Sequence, residues 1–115
     1  MGDAYFNADA KKFMHDAAAV AKLGHSLKLD ACAHADYQCL YVAGGHGCCV
    51  DGEAMKGAVE SFHRAGKLVA ADCHGPYVLM FCEKPDGSPL VQGLEVTAFT
   101  DLEEEQAGAT AWVAA

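Results

Sequence analysis

Positive charge is scarce in this chain. Its 8 lysines and arginines face 16 aspartates and glutamates, a formal charge of -8. A surface of that sign repels phosphate and offers no basic stripe, so no nucleic-acid partner is expected. There is also no apolar run near the roughly 20 residues that a spanning helix needs, and Met1-Gly2-Asp3-Ala4-Tyr5 lacks the charged-then-apolar order of a secretion signal. A soluble, cytoplasmic chain with no membrane partner is predicted. The cysteines at 32, 39, 48, 49, 73 and 82 include no Cys-x-x-Cys pair, and reduced thiols are expected. His46, Cys48, Cys49, Cys32 and His34 are residue types that zinc favours, but no two-by-two ligand spacing relates them. Neither a metal nor another cofactor is therefore expected. Repeats and low-complexity tracts are missing too. The 115 residues predict one domain that buries about two-thirds of its unfolded surface.

What is present begins with hydrophobic periodicity. Residues 7–22 predict one helix with Phe13, Ala17 and Val20 on a stripe and Gly24 as a stop. Residues 27–37 have no period and predict a surface connection. Cys39-Leu40-Tyr41-Val42 predicts a short buried strand, ended by Gly44-Gly45-His46-Gly47. Met55, Val59 and Phe62 place an amphipathic helix over residues 52–65, closed by Gly66. Residues 67–71 predict a second buried strand, and Pro76 the first turn of a helix running through Phe81. Pro85-Asp86-Gly87 is a turn, and residues 94–99 predict a third strand. Asp101, Glu103, Glu104 and Glu105 gather where a helix begins. This alternation of strand and helix indicates βαβ units and a parallel α/β sheet.

Chemistry concentrates where the second strand ends. Ala70-Ala71-Asp72-Cys73-His74-Gly75-Pro76 sets a cysteine beside a histidine where a strand turns sharply into a helix. Such elbows hold nucleophiles in α/β enzymes. A helix amino terminus and a neighbouring imidazolium favour a thiolate, while the adjacent Asp72 charge opposes one. A free cysteine is in many cores simply a small hydrophobe. In an open parallel sheet, Cys73 and the glycine turn would lie at the same carboxyl edge. Backbone N–H groups of that turn could face a developing oxyanion, with Gly45 adding no side chain to obstruct a substrate.

Four ordered stretches then resemble the DJ/PfpI superfamily. They are Tyr41-Val42-Ala43-Gly44-Gly45-His46-Gly47, Ala65-Gly66-Lys67-Leu68-Val69-Ala70-Ala71-Asp72-Cys73-His74-Gly75-Pro76, Asp86-Gly87-Ser88-Pro89-Leu90-Val91-Gln92-Gly93 and Val96-Thr97-Ala98-Phe99-Thr100-Asp101-Leu102-Glu103-Glu104. Within it, the chain is most similar to the glutathione-independent glyoxalase III branch, which includes heat-shock chaperones and class I glutamine amidotransferase-like proteins. The resemblance implies a flavodoxin-like parallel sheet sandwiched by helices, and conversion of a small aldehyde, methylglyoxal, to D-lactate without glutathione or cofactor. It implies Cys73 as nucleophile, His74 as general acid/base and Glu104 as the carboxylate orienting that histidine. The choice of Glu104 over Glu103 or Glu105 rests on this alignment alone. The backbone amides of Gly45 and His74 are implied oxyanion donors.

The family pattern also carries an amino-terminal strand, helix and strand with a glutamate that bonds the reactive cysteine, and further carboxyl-terminal strands and helices. Here no Glu precedes Glu53, Asp72 stands at a usually apolar position and Ala98 at a usual glycine. The fold is therefore expected to be truncated at both ends. Two alternatives follow: an inactive module that binds as a chaperone or covers its exposed sheet edge as a homodimer, and a redox sensor at Cys73.

Overall fold

Asp16 interrupts what the sequence predicts as one long helix. In the computed structural model, which describes residues 6–112, α1 spans Ala8–His15 and α2 spans Ala17–Gly24. The Asn7 side chain accepts from the Ala10 N–H at 2.9 Å, and the Asp16 carboxylate accepts from the Ala18 and Ala19 N–H groups at 3.0 Å each. An aspartate that bonds the backbone ahead of it competes with a continuing helix, and Asp16 takes an extended conformation to do so. Neither helix buries a residue: the predicted stripe residues Phe13 and Val20 are exposed. The described residues divide into two compact units between Cys32 and Ala33. Within the first, Leu29–Ala31 forms a single 3-10 turn.

The second unit holds the parallel sheet. β1 (Cys39–Val42) pairs with β2 (Leu68–Ala71) in the register Cys39↔Leu68 to Val42↔Ala71. Parallel strands need a crossover, supplied here by α3 (Gly47–Asp51), a 3-10 turn at Gly52–Met55 and α4 (Lys56–Arg64). The predicted stripe holds, since Val59 and Phe62 are buried and Met55 packs against the core. Gly66 ends α4 at a φ of +67°, with the Gly66 N–H on the His63 carbonyl and the Lys67 N–H on the Phe62 carbonyl. That pair of bonds is a Schellman motif, which favours a residue without a Cβ. The core is Val42, Val59, Val78, Cys82 and Leu90.

One expectation is met in a tighter form and another is corrected. Gly75–Phe81 is helical, but 3-10 rather than α, with i to i+3 bonds from the Tyr77 N–H to His74 and from the Cys82 N–H to Leu79. Residues 94–99 form no strand. Val96 and Thr97 favour extension, but that preference is realised only against a pairing neighbour, and among the described residues the sheet has two strands. α5 (Asp101–Ala107) begins where the acids predict it. Among the described residues no helix is long and apolar enough to cross a membrane.

Candidate active site

The end of β2 is strained, and the strain falls on one residue. Cys73 has a φ of +51°, and it is the non-glycine residue with positive φ among those described. A left-handed conformation costs an L residue roughly 1–2 kcal/mol, so the surroundings must impose it. They do so by close backbone approach. A Cβ on Gly44 would lie 2.6 Å from the Cys73 Cβ, and one on Gly75 would lie 2.5 Å from the Val42 carbonyl oxygen. The Gly75 N–H closes the elbow onto the Asp72 carbonyl at 2.7 Å. The outcome is an exposed thiol beside a buried imidazole.

From Cys73 a chain of side-chain contacts runs inward. Its Sγ lies 3.2 Å from His74 Nδ1, and His74 Nε2 is hydrogen-bonded to Glu104 Oε1. His74 and Glu104 are 8% and 5% exposed, so this contact is sheltered from water. Burial pushes the Glu104 carboxyl up, but the imidazoles of His74 and His46 outweigh it and hold the group below the usual carboxylate range. The three glutamates at the start of α5 thus divide their work. Glu103 accepts from the Thr100 N–H and hydroxyl at 2.8 Å each, and its own N–H donates to Thr100 Oγ1, completing a capping box. Glu104 points to His74, and Glu105 is exposed. The Phe99 N–H donates to the Cys73 carbonyl at 3.0 Å, which ties the chain leading into α5 to the elbow.

Sequence reasoning missed three neighbours. The His46 ring lies 4.3 Å from that of His74, and the Phe99 ring 4.6 Å from it. His46 stood within the glycine turn, but only the fold brings that turn over His74. Asp72 was expected to oppose a thiolate; its Oδ1 accepts the Gly44 N–H at 2.8 Å, so its carboxylate anchors the glycine turn to the elbow. Among the described residues the N–H groups of Gly45 and His74, the expected oxyanion donors, are engaged by no hydrogen bond. Cys73 borders a cleft of about 240 Å³ with Thr97, Ala98 and Phe99, while His74 and Glu104 line a larger one of about 390 Å³ with Cys49, Tyr77 and Val96. The first holds the thiol. One set of side chains also has metal-ligand character: His46, His74 and Glu104 each offer one donor atom, all within 4.8 Å of one another. The cysteines and His34 weighed in the sequence do not join that set.

An elbow with this thiol, histidine and glutamate can be compared with known proteins. The profile of the DJ-1/PfpI family matches residues 7–114. This chain belongs to the DJ-1/PfpI family. It is 37% identical over 75 residues to the "Probable glutathione-independent glyoxalase hsp3104" of Schizosaccharomyces pombe, covering 62% of this chain and 33% of that protein. Over 73 residues it is 34% identical to the "Glutathione-independent glyoxalase HSP31" of Saccharomyces cerevisiae, covering 60% and 31%. A solved structure of the Rapid Encystment Protein 24 KDa of Francisella tularensis superposes with a TM-score of 0.81 at 25% identity, over 93% of this chain and 49% of that one. The aligned part thus amounts to about a third of the curated relatives and about half of the solved chain. The parallel α/β fold and the family expected from the sequence are both found.

Proposed function

We propose that Cys73, His74 and Glu104 carry out glutathione-independent glyoxalase chemistry, converting methylglyoxal and water to D-lactate. The observation that carries this reading is the strained Cys73, its Sγ 3.2 Å from His74 Nδ1, with the other ring nitrogen bonded to a buried glutamate. Glu104 accepts a hydrogen bond from the Nε2–H of His74, which holds the proton there and leaves the Nδ1 lone pair for the thiol proton. The sulfur adds to the aldehyde carbon, forming a C–S bond, and the carbonyl oxygen becomes the hydroxyl of a hemithioacetal. His74 then removes the proton from that carbon and returns one to the neighbouring carbonyl carbon, giving a lactoyl thioester. Water cleaves the thioester, releasing lactate and the Cys73 thiol. The N–H groups of Gly45 and His74 would stabilise the negative oxygen formed at addition and at hydrolysis. The relatives named as glutathione-independent glyoxalases support this choice of substrate.

The test is methylglyoxal loss matched by D-lactate formation. Cys73→Ala and His74→Ala should each lower the rate by about 100-fold or more. Loss no faster in the wild-type chain than in Cys73→Ala would remove the proposal for this chain.

A second reading is a module that binds without turnover, as a homodimer or in a chaperone-like way. Leu68, Leu94 and Val96 are 63%, 63% and 62% exposed, on and beside a two-stranded sheet whose outer edges offer unpaired backbone groups. A monomer in sedimentation that turns over methylglyoxal normally would reject it.

A further inference from the structure

Glu104 and His46 have bonding capacity that the proton relay leaves unused. Glu104 Oε2 and His46 Nε2 are buried with no hydrogen-bond partner among the described residues, although Glu104 is only 5% exposed. Buried polar atoms without partners are uncommon, and an ion is one of their recurrent causes. His46 Nε2 lies 3.5 Å from Glu104 Oε1. Donor atoms bound to one tetrahedral zinc at about 2.0–2.2 Å are separated by roughly 3.4 Å. His74 Nε2 faces the same carboxylate oxygen, and the three donor atoms lie within 4.8 Å of one another.

We propose that His46, His74 and Glu104 form a binding site for a divalent transition-metal ion of the zinc class, and that the ion stops His74 from exchanging protons with Cys73. Two imidazole nitrogens and one carboxylate select such an ion over magnesium or calcium, which prefer oxygen alone. Three protein ligands leave a fourth position for water, and two of the three, His74 and Glu104, line the cleft of about 390 Å³. One carboxylate against a divalent charge leaves the site net positive, which the surrounding charge of -8 favours.

The consequence follows from which ring nitrogen is used. The ion replaces the His74–Glu104 hydrogen bond and takes the Nε2 lone pair. A neutral imidazole so bound carries its proton on Nδ1, the atom 3.2 Å from Cys73 Sγ. His74 then donates toward the sulfur, which favours the thiolate, but it can neither take up the thiol proton nor carry one between carbons. Binding stands independently of the glyoxalase reading, whereas inhibition of turnover rests on it; the tests below read binding and thiol reactivity without turnover.

Cobalt(II) serves as the spectroscopic probe and zinc as its competitor, both added to the reduced full chain. One equivalent of cobalt should give d–d absorption without sulfur-to-cobalt charge transfer, displaced by zinc but not by magnesium. Cys73→Ala should bind equally well. His46→Ala, with unchanged far-ultraviolet circular dichroism, should weaken binding at least as much as loss of an outer-shell partner does, about 10- to 100-fold. If that variant loses its fold, His46→Gln replaces it with the same expectation. Zinc should also speed alkylation of Cys73 by iodoacetamide in the wild-type chain, because the metal-bound imidazole favours the thiolate, and not in the His46 variant. Sulfur charge transfer at one equivalent, binding unchanged in a folded His46 variant, or no stoichiometric binding would each overturn the site. Binding that leaves alkylation unchanged would overturn the effect on His74.

Discussion

Residues 6–32 and residues 33–112 hold their helices by different means. In the first unit, Asn7 and Asp16 cap α1 and α2, and neither helix buries a side chain. In the second, α4 buries Ala58, Val59 and Phe62 against a strand pair. Helices of eight residues are marginal on local bonding alone, so the first unit's stability rests on its caps, whereas the second unit's rests on apolar burial. The strained Cys73 belongs to the second unit. Only a packed surround can hold an L residue at positive φ, so the candidate nucleophile sits where packing, not capping, determines the backbone.

The largest effect should come from Gly75, whose Cβ would meet the Val42 carbonyl oxygen at 2.5 Å. Gly75→Ala forces β1 and the elbow apart and should cost about 3 kcal/mol in urea unfolding followed by circular dichroism. It should also slow Cys73 alkylation, because Sγ leaves His74. A change below about 0.5 kcal/mol would mean that the elbow is not held by packing. Next comes a matched pair of truncations. Val59 is 0% exposed and Val20 is 42% exposed; Val59→Ala should cost about 2 kcal/mol and Val20→Ala less than about 0.5. Equal costs would erase the contrast between the two units.

Caps sharpen the contrast from the other side. Asp16→Ala and Thr100→Ala each remove side-chain bonds to orphan N–H groups and should each cost about 1 kcal/mol. Only Thr100→Ala should also lower the proposed turnover, because α5 carries Glu104 against His74. If Asp16→Ala lowers it as much, the proposed chemistry depends on the first unit too.

How much of this was legible in the sequence follows from the range of each interaction. β1 falls on the predicted residues Cys39–Val42, and the elbow falls at Cys73, because short apolar runs and Gly-Pro punctuation act locally. The single helix over residues 7–22 was wrong for an equally local reason, the ability of Asp16 to bond the Ala18 and Ala19 N–H groups. The third strand failed because strand character needs a partner that propensity does not report. Among the three glutamates, Thr100-x-x-Glu103 is a readable capping box that assigns Glu103 to the helix start and frees Glu104 for the site. The bond from Gly44 to Asp72 spans 28 positions, and the approach of His46 to His74 also spans 28 positions. No periodicity links residues that far apart; the parallel pairing of β1 with β2 does.

The smallest effect concerns pH. In the second unit Asp86 plays locally the part that Asp16 plays in the first. Its Oδ1 accepts from the Ser88 hydroxyl at 2.6 Å and from the Ser88 N–H at 3.0 Å. The hydroxyl bond first, then the N–H, holds the Asp86 carboxyl below the usual range. A carboxyl with a lower pKa folded than unfolded stabilises the fold fully above the unfolded value of about 3.9. That contribution disappears as pH falls through the lower folded value. Asp86→Asn keeps an oxygen acceptor but does not titrate, so its stability at neutral pH should stay close to wild type while its acid limb flattens slightly. Because Leu90, just beyond this turn, is buried in the core and donates its N–H to Cys82 at 2.9 Å, packing should mask most of the loss. A steep acid limb abolished by Asp86→Asn would instead put this turn in the same class as the capped helices, held by its local bonds rather than by the core behind it.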